Sequence, residues 1–161
     1  FFPFNCIFAI IKLFNIEKFM NKIIILNGPN LNLLGEREKN QYGNCTLEDI
    51  EKKCSEFASL NNIKLSLFQS NIEGELVNEI QNARTNQNGL IINAGGYTHT
   101  SVSLRDCISA INTPVVEVHI SNIAARESFR HNSLISPVCE GCIFGFGMES
   151  YKLAIQFFNS K

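Results

Sequence analysis

The chain has 161 residues, 45% hydrophobic and 18% charged, with a formal net charge of −1 and a mean hydropathy of +0.02. This balance fits one soluble globular domain able to bury a core without staples, and it excludes a disordered tail or a dedicated nucleic-acid binder. The six cysteines, Cys6, Cys45, Cys54, Cys107, Cys139 and Cys142, are scattered rather than patterned as a disulfide framework, so they read as reduced thiols of a cytoplasmic protein.

Residues 1–19 stand apart, with six of the thirteen phenylalanines, and Met20 is followed at once by a candidate strand. The uninterrupted apolar run ends at Lys12, short of the roughly 20 residues that cross a bilayer. A positive n-region and an A-x-A-like cleavage site are both missing, so a secretory signal is not indicated. The segment is expected to be a hydrophobic N-terminal extension outside a single domain spanning 20–161.

From Met20 onward, β-rich runs alternate with helix-period stretches. Ile23–Leu26 is a continuous apolar run suited to a strand buried on both faces of a parallel sheet. It leads into Asn27-Gly28-Pro29-Asn30-Leu31-Asn32 and then into a charged stretch from Gly35 to Gly43, bounded by glycines in the manner of a lid. Thr46 to Asp49 resembles a capping box, after which Leu47, Ile50, Cys54, Phe57 and Ala58 recur at helical spacing. Leu65 and Leu67 alternate with polar residues in a second strand, and Ile72, Leu76, Val77, Ile80 and Ala83 mark a second helix. Leu90–Ile92 is a third strand, followed by Asn93 to His99 and a helix from Val102 to Ile111. Pro114 introduces a fourth strand, Val115–Ile120, leading to Ser121, Asn122, Arg126 and Arg130, the two arginines spaced for one helical face. Ile143 to Phe146 precede a last helix carrying Leu153, Ile155 and Phe157.

Five repeated βα units predict an α/β fold: a flavodoxin-like, doubly wound, five-stranded parallel sheet of order 2-1-3-4-5. The site of such a sheet lies beyond the carboxyl ends of its strands, at the switch point between the first and third. Polar residues do cluster after strands one, three and four. Two histidines, two arginines, hydroxyls and many amides suit a small polar anion better than a nucleotide, and neither a P-loop nor G-x-G-x-x-G follows any strand. Asn-Gly-Pro-Asn after the first strand also disfavours a phospho-accepting receiver. No metal site is expected, because Cys139-Glu140-Gly141-Cys142 has no second pair or histidine at zinc spacing and reads as two small apolar residues before a buried strand.

Glu117 and His119 lie two apart on one strand and so face the same side. His119 is either a satisfied core histidine or a general acid that Glu117 orients and holds protonated. Tyr42 is either a hydrophobic anchor of the lid or a phenolate base. A phenol titrating near ~10 needs a shift of about 3 units to work at neutral pH; Arg37 is the candidate cation to supply part of it, with Arg126 or Arg130 as further sources of positive potential.

Four stretches, ILNGPNLNLLGEREKNQYG, QSNIEGELVNEIQNA, INAGGYTHTSVSLRDCI and VVEVHISNIAARESFRHNSLISP, occur in the order and spacing of one family. The chain resembles the type II 3-dehydroquinate dehydratases (type II dehydroquinases) from Met20 to Phe158. The resemblance implies a cofactor-free trans dehydration of 3-dehydroquinate to 3-dehydroshikimate through an enolate, with no membrane or nucleic-acid partner and a homo-oligomer that is a dodecamer of trimers. It implies that Tyr42 is the base that removes a C2 proton, Arg37 the lid cation lowering its pKa, and Asn30 a stabiliser of the enolate through a water. His119 becomes the acid for the C1 hydroxyl, with Glu117 orienting it. Asn93, Ser121 and the backbone of Ile120 are implied to hold the carboxylate, and His99 and Arg130 the ring hydroxyls. Asp106 is implied to reach a neighbouring subunit's site, where otherwise it is a solvated helix carboxylate, and Arg126 to brace Tyr42 or the lid. Asn132 and Leu134 depart from the family pattern. The same reaction serves aromatic biosynthesis and quinate breakdown alike. From another class, a flavin-binding electron carrier would share the architecture, but its hydroxyl- and glycine-rich phosphate loop after strand one is missing.

Overall fold

A computed structural model describes residues 21–36 and 45–161. Five parallel strands form one sheet: β1 (Lys22–Asn27), β2 (Lys64–Gln69), β3 (Gly89–Asn93), β4 (Val115–His119) and β5 (Gly141–Phe144). Their order is β2-β1-β3-β4-β5, as the βα alternation predicts. Among the described residues, four α-helices cover the two faces: α1 (Leu47–Leu60), α2 (Glu73–Asn86), α3 (Val102–Ser109) and α4 (Glu149–Asn159).

Side chains alternate across each strand, so a continuous apolar run feeds two cores at once. Ile23, Ile25, Ile91, Val116 and Val118 pack under α1 and α4 against Ile50, Cys54, Ala58, Ala154 and Ile155. Ile24, Leu26, Leu90, Ile92 and Val115 face the other way, against Leu76, Ile80 and Ala83 of α2 and Leu104 and Ile108 of α3. The start of α1 is fixed by the expected capping box. Thr46 Oγ1 accepts from the Asp49 backbone N–H at 3.1 Å, and the Thr46 N–H donates to Asp49 Oδ2 at 3.0 Å. Those bonds hold the Asp49 carboxyl below its ordinary pKa.

The fourth βα unit is where expectation and structure part. Between β4 and β5 the chain forms three single 3-10 turns, Ile123–Ala125, Ser128–Arg130 and Ser136–Val138, instead of an α-helix. Short polar side chains take the backbone donors that a helix would use. Asn122 Oδ1 accepts from the Ala124 N–H, and Ser133 Oγ from the N–H groups of Ile135 and Ser136. Arg126 and Arg130 therefore do not share a helical face. In the last helix Ile155 is buried as expected, together with Tyr151, Ala154 and Phe158, whereas Leu153 and Phe157 are 46% and 36% exposed. Ile72 is not part of a buried stripe but the exposed residue that precedes α2, and Ile111 lies beyond the end of α3. Cys142 sits inside β5, opposite Glu117, and that edge strand is only half-buried because it has a neighbour on one side.

The loops after β1 and β3 are drawn together by one close backbone approach. Gly28 N–H donates to Asn93 O at 2.7 Å, and a Cβ on Gly28 would stand 2.5 Å from Ala94 O. Gly28→Ala is expected to cost about 1–3 kcal/mol through the backbone movement it forces. Urea denaturation checks this; an unchanged midpoint would show that the two loops are not packed so tightly. Among the described residues, no helix is long and apolar enough to cross a membrane.

Candidate active site

A cleft of about 140 Å³ opens beyond the carboxyl ends of β1, β3 and β4. Of the residues singled out in the sequence, Asn30, Asn93, His99, His119, Ile120, Ser121, Arg126 and Arg130 line it. Glu117 lies behind that wall, fully buried and bonded to His119. Asp106 does not line the cleft: it sits on α3 with its side chain 67% exposed, 3.5 Å from Arg105. Arg37 and Tyr42, with most of the Gly35 to Gly43 stretch, lie outside the described residues, as do residues 1–19.

The β4 strand delivers His119 to the cleft and Glu117 one layer beneath it. Glu117 Oε1 accepts from His119 Nε2 at 2.6 Å in a buried contact. Burial by itself would push the Glu117 pKa up, but the bonds from His119, Ser136 and Ser133 outweigh it and hold the carboxyl below its ordinary value. Ser133 Oγ lies 3.0 and 3.1 Å from the two carboxylate oxygens, and Ser136 Oγ donates to Oε2. An ionised carboxylate only accepts, so the proton of the shared bond sits on Nε2, and Nδ1 is the ring nitrogen left for a ligand.

Cys142 Sγ, His119 and Glu117 bring ligand atoms within 4.8 Å of one another. The carboxylate oxygens already accept from the imidazole and two hydroxyls, so the cluster is a hydrogen-bond hub. The Cys139 and Cys142 thiols are both pushed up to about 12, first by burial and then by the Glu117 charge. They stay protonated at neutral pH, as small half-buried groups.

The opposite wall comes from the loop after β3. His99 Nδ1 donates to the Asn132 carbonyl oxygen at 2.8 Å, which fixes the tautomer and turns Nε2 outward. Its ring lies nearly parallel to that of His119, at 15° and 6.5 Å between centroids. Because Asn132 contributes its backbone oxygen, the unusual side chain at that position does not enter the contact. Arg130 donates through Nε to Glu127 Oε2 at 2.9 Å, and Arg126 Nε stands 3.4 Å from the same oxygen, so one half-exposed carboxylate gathers both arginines at the rim. Asn30, with φ of 66°, adopts the left-handed conformation that asparagine tolerates, and its N–H donates to Asn71 Oδ1 at 2.9 Å. Asn93 ends β3 almost fully buried and is held from below by Tyr151 of α4.

Sequence reasoning passed over Ser133, Ser136 and Tyr151. The serines precede Pro137 in what reads as an ordinary turn, and only the return of the chain across β4 brings them to Glu117. Tyr151 sits at a core-facing helical position, where an aromatic residue signals packing alone.

The serines give a pH prediction. Glu117 is stabilised in its ionised form by the fold, so its contribution to stability is present above its unfolded pKa and is lost as pH falls through the lower folded value. Ser133→Ala with Ser136→Ala removes two donors and raises the folded pKa. The acid limb of kcat/KM is expected to move to higher pH, with a stability loss of about 1–3 kcal/mol for each donor removed. An acid limb that stays in place would show that the serines do not govern this carboxylate.

Sheet order, cleft position and a carboxylate-held histidine define the class: an α/β acid–base enzyme for a small polar ligand. Residues 21–159 match the family described as dehydroquinase class II. The chain belongs to that type II dehydroquinase family. It is 52% identical to the 3-dehydroquinate dehydratase of Nitratiruptor over 83% of this chain and 86% of the relative, and 49% identical to that of Bacillus pumilus over 88% and 97%. It is also similar to the crystal structure of type II dehydroquinase from Butyrivibrio crossotus, with a TM-score of 0.85 and 44% identity over 87% of this chain and 98% of the other. None of these matches supports the flavin-binding electron carrier.

Proposed function

We infer that the chain is a lyase that dehydrates 3-dehydroquinate to 3-dehydroshikimate by trans elimination through an enolate, with no cofactor in the chemistry. The observation that carries this reading is the buried Glu117–His119 pair, which leaves one imidazole nitrogen uncommitted among the described residues at the wall of a small polar cleft. The C3 ketone acidifies C2, so proton removal precedes loss of the hydroxyl. Tyr42 takes the C2 proton as phenolate, with Arg37 favouring its ionised form, and the negative charge moves onto the C3 oxygen, where Asn30 stabilises it through a water. The enolate then collapses, the C1–O bond breaks, and His119 delivers a proton from Nδ1 so that water departs. Glu117 offsets the positive charge of the doubly protonated ring.

Asn93, Ser121 and the Ile120 backbone bind the carboxylate in this reading, and His99 and Arg130 hold the ring hydroxyls. All five line the cleft, which supports their grouping around one small molecule. The exposure of Asp106 away from its own cleft supports its assignment to a neighbouring subunit's site, within a dodecamer of trimers. Residues 1–19 are an extension outside the catalytic domain 20–161, a reading supported by a family match that starts at residue 21.

Purified protein incubated with 3-dehydroquinate should generate the ultraviolet absorbance of a conjugated enone. Borohydride added with substrate should leave the rate intact, because no Schiff base forms. Folded protein that produces no enone would refute the activity, and inactivation by borohydride would refute the mechanism.

A further inference from the structure

Tyr151 is fully buried on α4, on the sheet face shared with α1, and its hydroxyl joins two strand ends. Asn93 Nδ2 donates to the hydroxyl at 2.8 Å, and the hydroxyl donates to Asn27 Oδ1, also at 2.8 Å. Asn27 and Asn93 are register partners on the adjacent parallel strands β1 and β3, so one phenol spans two neighbouring amides.

Each link in this chain has one allowed direction. The Gly95 backbone N–H can only donate, and it donates to Asn93 Oδ1 at 3.3 Å, which leaves Nδ2 for the phenol. Having accepted that bond, the phenol turns its own proton to the Asn27 carbonyl oxygen. Asn27 Nδ2, by contrast, is buried without a partner among the described residues. An orphaned buried N–H is unfavourable, and an apolar residue would avoid it, so the position is built around its oxygen. Desolvation pushes the Tyr151 pKa well above the usual phenol range, which keeps the hydroxyl neutral and able to donate.

We infer that Tyr151, directed by Asn27, is a positioning residue: it locks the Asn93 amide so that an N–H, and not the carbonyl oxygen, faces the cleft. This rests on the reading in which Asn93 binds the substrate carboxylate. A flipped amide would set oxygen against carboxylate, and substrate binding would suffer in ground state and transition state alike. Such a loss raises KM and leaves kcat nearly unchanged. Damage to the fold alone would instead lower apparent kcat through a smaller active fraction and leave KM where it was.

The test is steady-state kinetics and thermal melting of the full chain carrying Asn93→Ala, Tyr151→Phe, Asn27→Leu, and the Asn93→Ala and Tyr151→Phe pair. Asn93→Ala should raise KM by about ten-fold, as expected for one hydrogen bond to a charged group. Tyr151→Phe should raise KM by roughly five-fold with kcat within about two-fold, and should add nothing to Asn93→Ala in the double variant. Asn27→Leu should raise KM in the same direction, and it alone decides the matter if Tyr151→Phe does not fold. A raised KM in Asn93→Ala with an unchanged KM in Tyr151→Phe or Asn27→Leu would overturn the positioning role. An unchanged KM in Asn93→Ala would instead remove the carboxylate reading, and the positioning role with it.

Discussion

His119→Ala is expected to lower kcat by about three orders of magnitude while leaving the first half of the reaction running. General acid catalysis contributes roughly 10²–10⁴-fold, and hydroxide is too poor a leaving group to depart unaided from the enolate. In the proposed mechanism the loss is confined to that step. Nε2 is committed to Glu117 at 2.6 Å, so what alanine removes from the cleft is the Nδ1 proton. Enolate formation needs a base, not this acid. In deuterated water the variant should therefore still exchange the C2 hydrogen of 3-dehydroquinate, at a rate far above its rate of product formation. If exchange and product formation fall together, His119 is not confined to the leaving-group step. If product formation stays near the original rate, it is not the acid.

Tyr42→Phe is expected to remove both halves at once. Without a phenolate there is no enolate, so C2 exchange and enone formation should each fall by about three orders of magnitude, with KM little changed. The physical demand on this tyrosine is large, since bringing a phenol from near ~10 to neutral pH takes about 4 kcal/mol of differential stabilisation of the anion. In the proposed mechanism Arg37, five residues earlier in the same polar stretch, supplies part of it. A near-normal kcat in Tyr42→Phe would take the base role away from it and leave the anchor reading of that side chain.

Strands buried on both faces leave an unmistakable trace in a sequence, which is why Ile23–Leu26, Leu90–Ile92 and Val115–Ile120 were legible as the centre of a parallel sheet. Once the order of that sheet was set, topology alone placed the loop after Asn27, the loop after Asn93 and the end of β4 around one cleft. The seven predicted residues Asn30, Asn93, His99, His119, Ile120, Ser121 and Arg130 reach it for that reason. What stayed hidden depends on chain reversal and on which helical face is used. Ser133 and Ser136 meet Glu117 only because the segment between β4 and β5 is held in turns by its own asparagine and serine side chains. Tyr151 carries a core residue's pattern, and its polar role appears only when the ends of β1 and β3 are placed above it. Leu153 and Phe157 misdirected the reading of α4 because a short amphipathic helix with apolar residues on two sides does not say which side is buried.

The central claim is a trans elimination performed by a base and His119 acting on opposite faces of the ring. Its most direct test uses 3-dehydroquinate deuterated at one C2 position at a time, with the isotope content of the enone product read by mass spectrometry. The account predicts that the deuterium anti to the C1 hydroxyl is lost and the syn deuterium is retained. Loss of the syn deuterium, or of both without preference, would contradict it.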